Sequence, residues 1–244
     1  MANNYQLNYA SGRPQMYDVA SREQKGVRIV KTLESYFGRH RLKKMTVLDV
    51  GASTGIIDNI LAREFKEVVG IDIDEEAINY AQINFRQRNL KFKIGDVMKL
   101  DFPKNSFGVV VSAHVYEHVP DPKKLFSEIY RVLKPGGMCY LAAVNALWPW
   151  EPHYDLPFLS WLPKSLGNLY VRLTGKARVY YETPHNYWQL RAMIKDAGFK
   201  IYEYTDKIID DPEKFGYPRN WSFLRPVSFF VKFLSPTLFW LIEK

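Results

Sequence analysis

Residues 47–58 read Val-Leu-Asp-Val-Gly-Ala-Ser-Thr-Gly-Ile-Ile-Asp: a short apolar run, a turn of small residues, then the start of an apolar-periodic segment. This is the pattern of a buried strand turning sharply into a helix, with strand 45–50 and helix 56–65 on either side of the turn. Gly51 and Gly55 let the backbone adopt positive φ and let a ligand approach it closely. The next apolar run, 67–72, is a second strand ending in Asp72, 21 residues after Gly51. In doubly wound folds an acid at that point can accept both ribose hydroxyls of an adenosine-containing cofactor. Ordinary strand-to-helix turns share the G-x-x-x-G spacing, so the inference rests on loop and acid together.

The flanking segments continue the alternation. Residues 21–37 place Val27, Val30, Leu33 and Phe37 on one helical face, and the basic run 39–44 that follows reads as a solvated stretch. A helix is predicted over 75–88, with Ile78, Ala81, Ile83 and Phe85 turned inward, then strands over 91–94 and 108–112. Asp121 as N-cap and Pro122 at the first helical position open a helix over 122–133. Lys134, Pro135, Gly136 and Gly137 end it, and 138–144 form a fifth strand. Strands alternating with helices predict an α/β class and a doubly wound, Rossmann-like parallel sheet, with its ligand outside the carboxyl ends of the strands.

After Val144 the rhythm breaks. Residues 146–184 are rich in Pro, Trp and Tyr without a clean period and read as an insertion or lid; four of the six tryptophans (Trp148, Trp150, Trp161, Trp188) lie within about forty residues. A helix over 187–198, a strand over 199–204, an apolar helix over 220–234 and a last strand over 237–242 complete the chain. The expected division is a 1–44 arm and helix, a 45–145 cofactor-binding core, a 146–184 acceptor-side segment and a 185–244 completion of the sheet.

Composition narrows the class further. With 47% hydrophobic and 25% charged residues in 244, the chain is neither disordered nor fibrous. Its net charge of +8 suits phosphates, acidic lipid headgroups or nucleic acid without choosing among them. The single cysteine, Cys139, excludes an intramolecular disulfide and a multi-cysteine zinc site. The opening, MANNYQLNYASGRP, lacks the basic and apolar regions of a secretory leader, so a cytoplasmic protein is expected. The best membrane candidate, 227–242, contains Lys232 and Pro236 and falls short of the roughly 20 residues needed to span a bilayer.

Taken together, Asp49-Val50-Gly51-Ala52-Ser53-Thr54-Gly55, the run VVGIDIDEEAI, the run IGDVMKLDFPKNSFGVVVSAHVYEHVPDP and the run LFSEIYRVLKPGG resemble the class I S-adenosylmethionine-dependent methyltransferases of type 11 over about residues 45–145. The usual first motif, D/E-x-G-x-G-x-G, has Ser53 in place of its middle glycine, and Gly108 stands where the family often has Asp. The resemblance implies a seven-stranded sheet and S-adenosylmethionine as cofactor. Its binding set would be Asp49, Gly51, Ala52, Ser53, Gly55, Asp72, Ile73, Asp96, Val97 and Ser112, with Asp96 at the adenine amino group. A dinucleotide G-x-G-x-x-G is not formed.

Transfer to a hydroxyl or ammonium acceptor needs a proton acceptor near the end of the fourth strand. His114, Glu117 and His118 stand there and share one face if the segment is helical. They also spell the H-x-x-E-H of inverted zinc proteases, but the surrounding motifs already account for the segment. VYEHVPDP resembles ubiquinone-pathway O-methyltransferases, some of which use a divalent metal at acidic residues here; His114 stands where those have an acid, and no metal ligand is assigned. Ser112-Ala113-His114-Val115 does not resemble the D/N-P-P-Y/F of exocyclic-amine nucleic-acid methyltransferases. His114 is the first catalytic candidate, with His153 and Tyr154 next. The aromatic segment suits a small-molecule, lipid-linked or glycan-linked acceptor methylated at oxygen. Alternatives are a non-catalytic binding subunit and an RNA methyltransferase suggested by the 39–44 run. The broad apolar face of 220–234 either packs on the sheet or contacts a membrane peripherally.

Overall fold

In the computed structural model, which describes residues 8–244, successive residues of the central strands are buried on opposite faces of a sheet and build two cores, one on each face. The first seven residues, and the part of the opening stretch they carry, lie outside the described residues. The chain runs through α1 (Val19–Phe37), α2 (Arg39–Leu42), β1 (Thr46–Val50), α3 (Ile56–Glu64), β2 (Glu67–Asp72), α4 (Glu75–Asn84), β3 (Leu90–Ile94) and β4 (Phe107–Ala113). It continues with α5 (Pro122–Val132), β5 (Leu133–Val144), β6 (Trp150–Glu151), β7 (Leu156–Pro157), α6 (Lys164–Leu173) and α7 (Tyr187–Asp196). The last elements are β8 (Lys200–Glu203), α8 (Thr205–Asp210), α9 (Ser228–Leu234) and β9 (Thr237–Glu243).

The sheet has seven strands in the order β3-β2-β1-β4-β5-β9-β8. Strands β1 to β5 pair in parallel, and β9 lies antiparallel between β5 and β8. This is the doubly wound, Rossmann-like α/β architecture expected of the family. Val47, Val109, Val111 and Tyr140 face one core with Leu33 of α1 and Leu61 of α3. Leu48, Val110, Cys139 and Leu141 face the other, with Phe126 of α5 and Ile194 of α7. A period of two along the strands puts neighbours on opposite faces, so helices must cover both. The strand order reverses between β1 and β4, which opens the ligand crevice at their carboxyl ends. Helix starts are set by side chains: Asp18, Asp74, Asp121 and Asn186 each accept from a backbone amide in their first turn.

Several boundaries differ from the sequence expectation. Helix α4 stops at Asn84 rather than 88, and Ile83 is 65% exposed rather than turned inward. The following chain is held out of the helix by Asn89, which donates to the carbonyls of Ala62 and Phe65, and by Gln87 on Asn59. Strand β5 begins straight after α5, so Lys134–Gly137 lie within the strand, and a register shift between Phe107 and Val109 absorbs the irregularity. Residues 220–234 are not one helix. A 3-10 stretch (Arg219–Val227) precedes α9, because Pro226 has no amide hydrogen to continue an α-helix. The basic run is a short helix whose Arg39 and Lys43 both pair with Glu64 and whose Leu42 is buried. Among the described residues no helix is long and apolar enough to cross a membrane.

Candidate functional site

A cavity of about 360 Å³ opens where β1, β2, β4 and β5 end. On one side stand Asp49, Gly51, Ser53, Asp72, Ile73 and Val97; on the other, His114, His118, Trp148, Trp150 and His153. The turn after β1 holds Gly51, Ser53 and Gly55 at φ of +96°, +49° and +74°. A side chain at Gly51 would bring its Cβ to 2.5 Å from Val115 Cγ2, so the position is closed to anything larger. Ser53 adopts the left-handed conformation at a cost, and that cost is offset locally: its amide donates to Asp72 Oδ2 at 2.8 Å. The amides of Gly51 and Ala52 both donate to the Ile71 carbonyl. Asp72 Oδ1 accepts from the Asp74 amide at 3.0 Å. The acid at the end of β2 therefore braces the glycine turn before any ligand is considered.

Beneath the turn, Asp49 and Asp58 are buried together. Burial, reinforced by Asp72 and opposed by Arg22, pushes the Asp49 carboxyl up to about 7. Asp58 is also raised, first by burial and then by Asp49. Arg22, 7% exposed on α1, supplies the nearby positive charge.

The acceptor side is a network of imidazoles and buried carboxylates. His114 takes φ +60°, its amide donates to the Ala142 carbonyl at 2.8 Å, and its Nδ1 lies 3.6 Å from Glu117 Oε1. The segment is a 3-10 turn rather than an α-helix, and His118, still near Glu117, approaches Glu182 at 3.5 Å. His153 Nδ1 lies 2.6 Å from Glu151 Oε1, while Glu151 Oε2 accepts from the amides of His153 and Tyr154. Glu117, Glu151 and Glu182 are each 1% exposed. Burial opposes the charge of Glu182, but His118 and His153 outweigh it and hold the carboxyl down to about 2. Burial opposes the charge of His153 too, and Glu151 reverses that, raising it above the usual imidazole value. The donor atoms of Glu117, His118 and His153 all lie within 4.8 Å of one another, a set that could share one cation.

The residues expected from sequence divide. Asp49, Gly51, Ser53, Asp72, Ile73, Val97, His114 and His153 line the cavity. Ala52 is buried below the turn, Gly55 caps α3 against Phe92 and Ala81, and Asp96 accepts from the Met98 amide beside the cavity wall. Ser112 is buried one residue behind Ala113, its hydroxyl without a hydrogen-bond partner. Tyr154 does not reach the cavity. Its ring packs in a small core with Leu156, Leu159, Val171 and Tyr180, and its hydroxyl donates to the Val179 carbonyl and accepts from the Tyr181 amide. Both residues lie in the turn between β6 and β7, whose amides Glu151 holds, and the turn presents His153 to the cavity while Tyr154 packs into the small core.

Tyr9, Arg13, Gln15 and Met16 from the N-terminal segment line the cavity, as does Arg22, and no motif announces any of them. The Ala10 amide donates to Asp74 and the Thr54 hydroxyl to the Met16 carbonyl, tying that segment across the glycine turn. Glu151 and Glu182 are equally silent: no motif marks the turn that folds His153 back on Glu151, and His118 is brought to Glu182 from 64 residues away.

A sheet of this order, a glycine turn braced by the acid of the next strand and a cavity continuing past both are features of the class I S-adenosylmethionine-dependent methyltransferases, and the chain is similar to them in sequence and in fold. The cofactor is S-adenosylmethionine. A family profile for a methyltransferase domain matches residues 48–141. The chain is 27% identical over 168 residues to a ubiquinone/menaquinone biosynthesis C-methyltransferase of Desulfotalea psychrophila, covering 65% of this chain and 67% of that one. It is 30% identical over 106 residues to a ubiquinone biosynthesis O-methyltransferase of Coxiella burnetii, covering 43% and 45%. The match therefore spans less than half of the latter relative's length. Among solved structures, a Haloferax volcanii methyltransferase in complex with the Trm112 activator superposes with a TM-score of 0.61 at 19% identity, covering 100% of this chain and 98% of that one. A Haemonchus contortus phosphoethanolamine N-methyltransferase with bound S-adenosylmethionine gives 0.52 at 23%, covering 86% and 50%. At these identities the structures speak for the fold.

Proposed function

We propose that the protein methylates an oxygen of a small-molecule acceptor, or of one linked to a lipid or glycan, using S-adenosylmethionine. The observation that supports this is one continuous cavity with the braced glycine turn on one side and basic and aromatic side chains on the other. The residues fit the cofactor: Gly51 presents bare backbone, Ser53 keeps an unpartnered buried hydroxyl, and Asp72 has lone pairs beyond those used by the two amides. The bound cofactor supplies an electrophilic methyl on a sulfonium. Asp72 would hold the sugar hydroxyls, with Ile73 and Val97 packing beside the adenosine and Asp49 and Arg22 below the turn. His114 and His153 would take the acceptor's proton at a ring nitrogen, and Trp148 and Trp150 would exclude water from the transfer. The charge gained by His153 would be stabilised by Glu151, which holds Nδ1 and leaves Nε2 for the acceptor.

Peripheral contact with an anionic membrane belongs to the same reading, since a lipid-linked acceptor would be met there. The RNA alternative rests on the 39–44 run, two of whose cations are already paired with Glu64; a salt-steep RNA affinity would revive it. Calorimetry with S-adenosylhomocysteine tests the cofactor half. Asp72→Ala should weaken binding about tenfold or more, because it removes the sugar's acceptor and the Ser53 brace together. Unchanged affinity would overturn the assignment of Asp72. Methyl transfer from labelled cofactor to phenolic small molecules and to lipid extracts tests the acceptor half.

A further inference from the structure

Helix α6 buries one edge and leaves the other bare. Gly167 and Val171 pack inward, and a Cβ on Gly167 would stand only 3.2 Å from the Tyr180 ring. On the far side Leu166, Leu169 and Leu173 form a stripe at i, i+3 and i+7, and they are 51%, 49% and 78% exposed. Phe158 and Trp161, just before the helix, are 50% and 54% exposed with ring centroids 4.9 Å apart. Phe158 sits in the left-handed region at φ +57°, a strained conformation for a bulky residue that leaves its ring facing water. Tyr181, after the helix, is also exposed.

The charge of this segment has one sign. From Leu156 to Tyr181 the chain carries Lys164, Arg172, Lys176 and Arg178 and no acidic residue. Lys164 is spent on the carbonyls of Tyr180, Tyr181 and Glu182. Arg172, Lys176 and Arg178 are exposed, and among the described residues the only ion pair they make is a 3.7 Å contact from Lys176 to the exposed Asp155. Exposed leucines with flanking aromatics and cations are the make-up of a helix lying in a membrane interface, where apolar side chains enter the acyl boundary and cations meet acidic headgroups. The sequence pointed instead to 220–234 as the membrane element. That stretch also lacks acids, but its two cations are already engaged, Arg225 on the Asp210 carbonyl and Lys232 with Asp206, whereas Arg172 and Arg178 of the α6 segment make no ion pair among the described residues.

We infer that the face of α6, with Phe158, Trp161 and Tyr181, docks the protein on an anionic lipid bilayer. The biological purpose of this docking rests on the lipid-linked form of the proposed acceptor, while the surface itself is independent of it. Through β6 and β7 the docking segment is continuous with Trp148, Trp150 and His153 of the cavity wall, so a docked helix brings that wall to the lipid.

Co-sedimentation of the full chain with phosphatidylcholine vesicles, with and without phosphatidylglycerol, tests this. Binding is expected only with phosphatidylglycerol, should weaken with salt, and should fall about tenfold or more in Leu166→Glu/Leu173→Glu. Both leucines are exposed, so the variant should keep its circular dichroism and its S-adenosylhomocysteine affinity. Arg172→Gln/Arg178→Gln should lose part of the binding and most of its salt dependence. No binding to anionic vesicles at low salt would overturn the inference, as would equal binding by the leucine variant. So would a dimer, seen by light scattering, that the leucine variant dissolves, since the face would then belong to a second copy. Methyl transfer to soluble acceptors is read separately: vesicle binding without lipid methylation sinks the acceptor reading and keeps the docking face.

Discussion

Asp49 shows how a single buried carboxyl links protonation to stability. In the fold it keeps its proton up to about pH 7, against an ordinary value near 4. Between those values the folded chain binds more protons than the unfolded one, so stability present near pH 4 is lost as pH rises toward 7. Asp58 is shifted upward as well and adds to the same slope, and the raised imidazole of His153 extends the loss with the same sign above about pH 6.5. Asp49→Asn cannot titrate, so its melting temperature without cofactor should fall less than that of wild type between about pH 5 and pH 8. Parallel melting curves would show that Asp49 is already ionised at the lower pH. Residues of this kind differ in how far sequence exposes them. Asp49, Gly51 and Asp72 announce themselves because strand, turn and strand lie close together in the chain. Glu182 does not, because His118 reaches it only after folding, and Glu151 does not, because nothing in the sequence marks the tight turn that sets His153 against it.

Among elements, the glycine turn is the least forgiving. At Gly51→Ala the new methyl meets Val115 Cγ2 at 2.5 Å and must also take φ +96°. The variant should lose cofactor binding and about 1–3 kcal/mol of stability. Val115→Ala in the same chain should recover the steric part and leave the φ penalty, which chemical denaturation of both variants would separate. Elements buried on two faces, β1, β2 and β4, fall within a residue or two of where their apolar runs place them. The failures cluster where burial is partial. Helix α4 has too little apolar surface to continue past Asn84, and Pro226 divides a stretch whose composition reads as one helix.

Across the whole molecule, the segment between β5 and α7 stands apart. Its small core of Tyr154, Leu156, Leu159, Val171 and Tyr180 is separate from the two cores of the sheet. Regions with few buried apolar contacts open first, so limited proteolysis should cut within 158–181 before any strand of the sheet. The nicked protein should still bind S-adenosylhomocysteine, since the glycine turn and Asp72 belong to the sheet. Early cleavage in β1 to β5, or loss of binding on nicking, would show that the segment and the sheet open as one unit. Sequence marked this segment by its broken rhythm, but not that it holds a core of its own, because five scattered apolar residues have no period.

The double duty of Asp72 also limits how the protein can be altered. One oxygen steadies Ser53 and the other steadies Asp74, so any replacement slackens the loop whether or not it suits a new guest molecule. A library meant to broaden donor choice at position 72 would first enrich clones with a loosened loop, and their poor turnover would be misread as failed recognition. Pairing each change at 72 with glycine at 53 separates the two effects, because glycine tolerates the left-handed geometry without needing that tether.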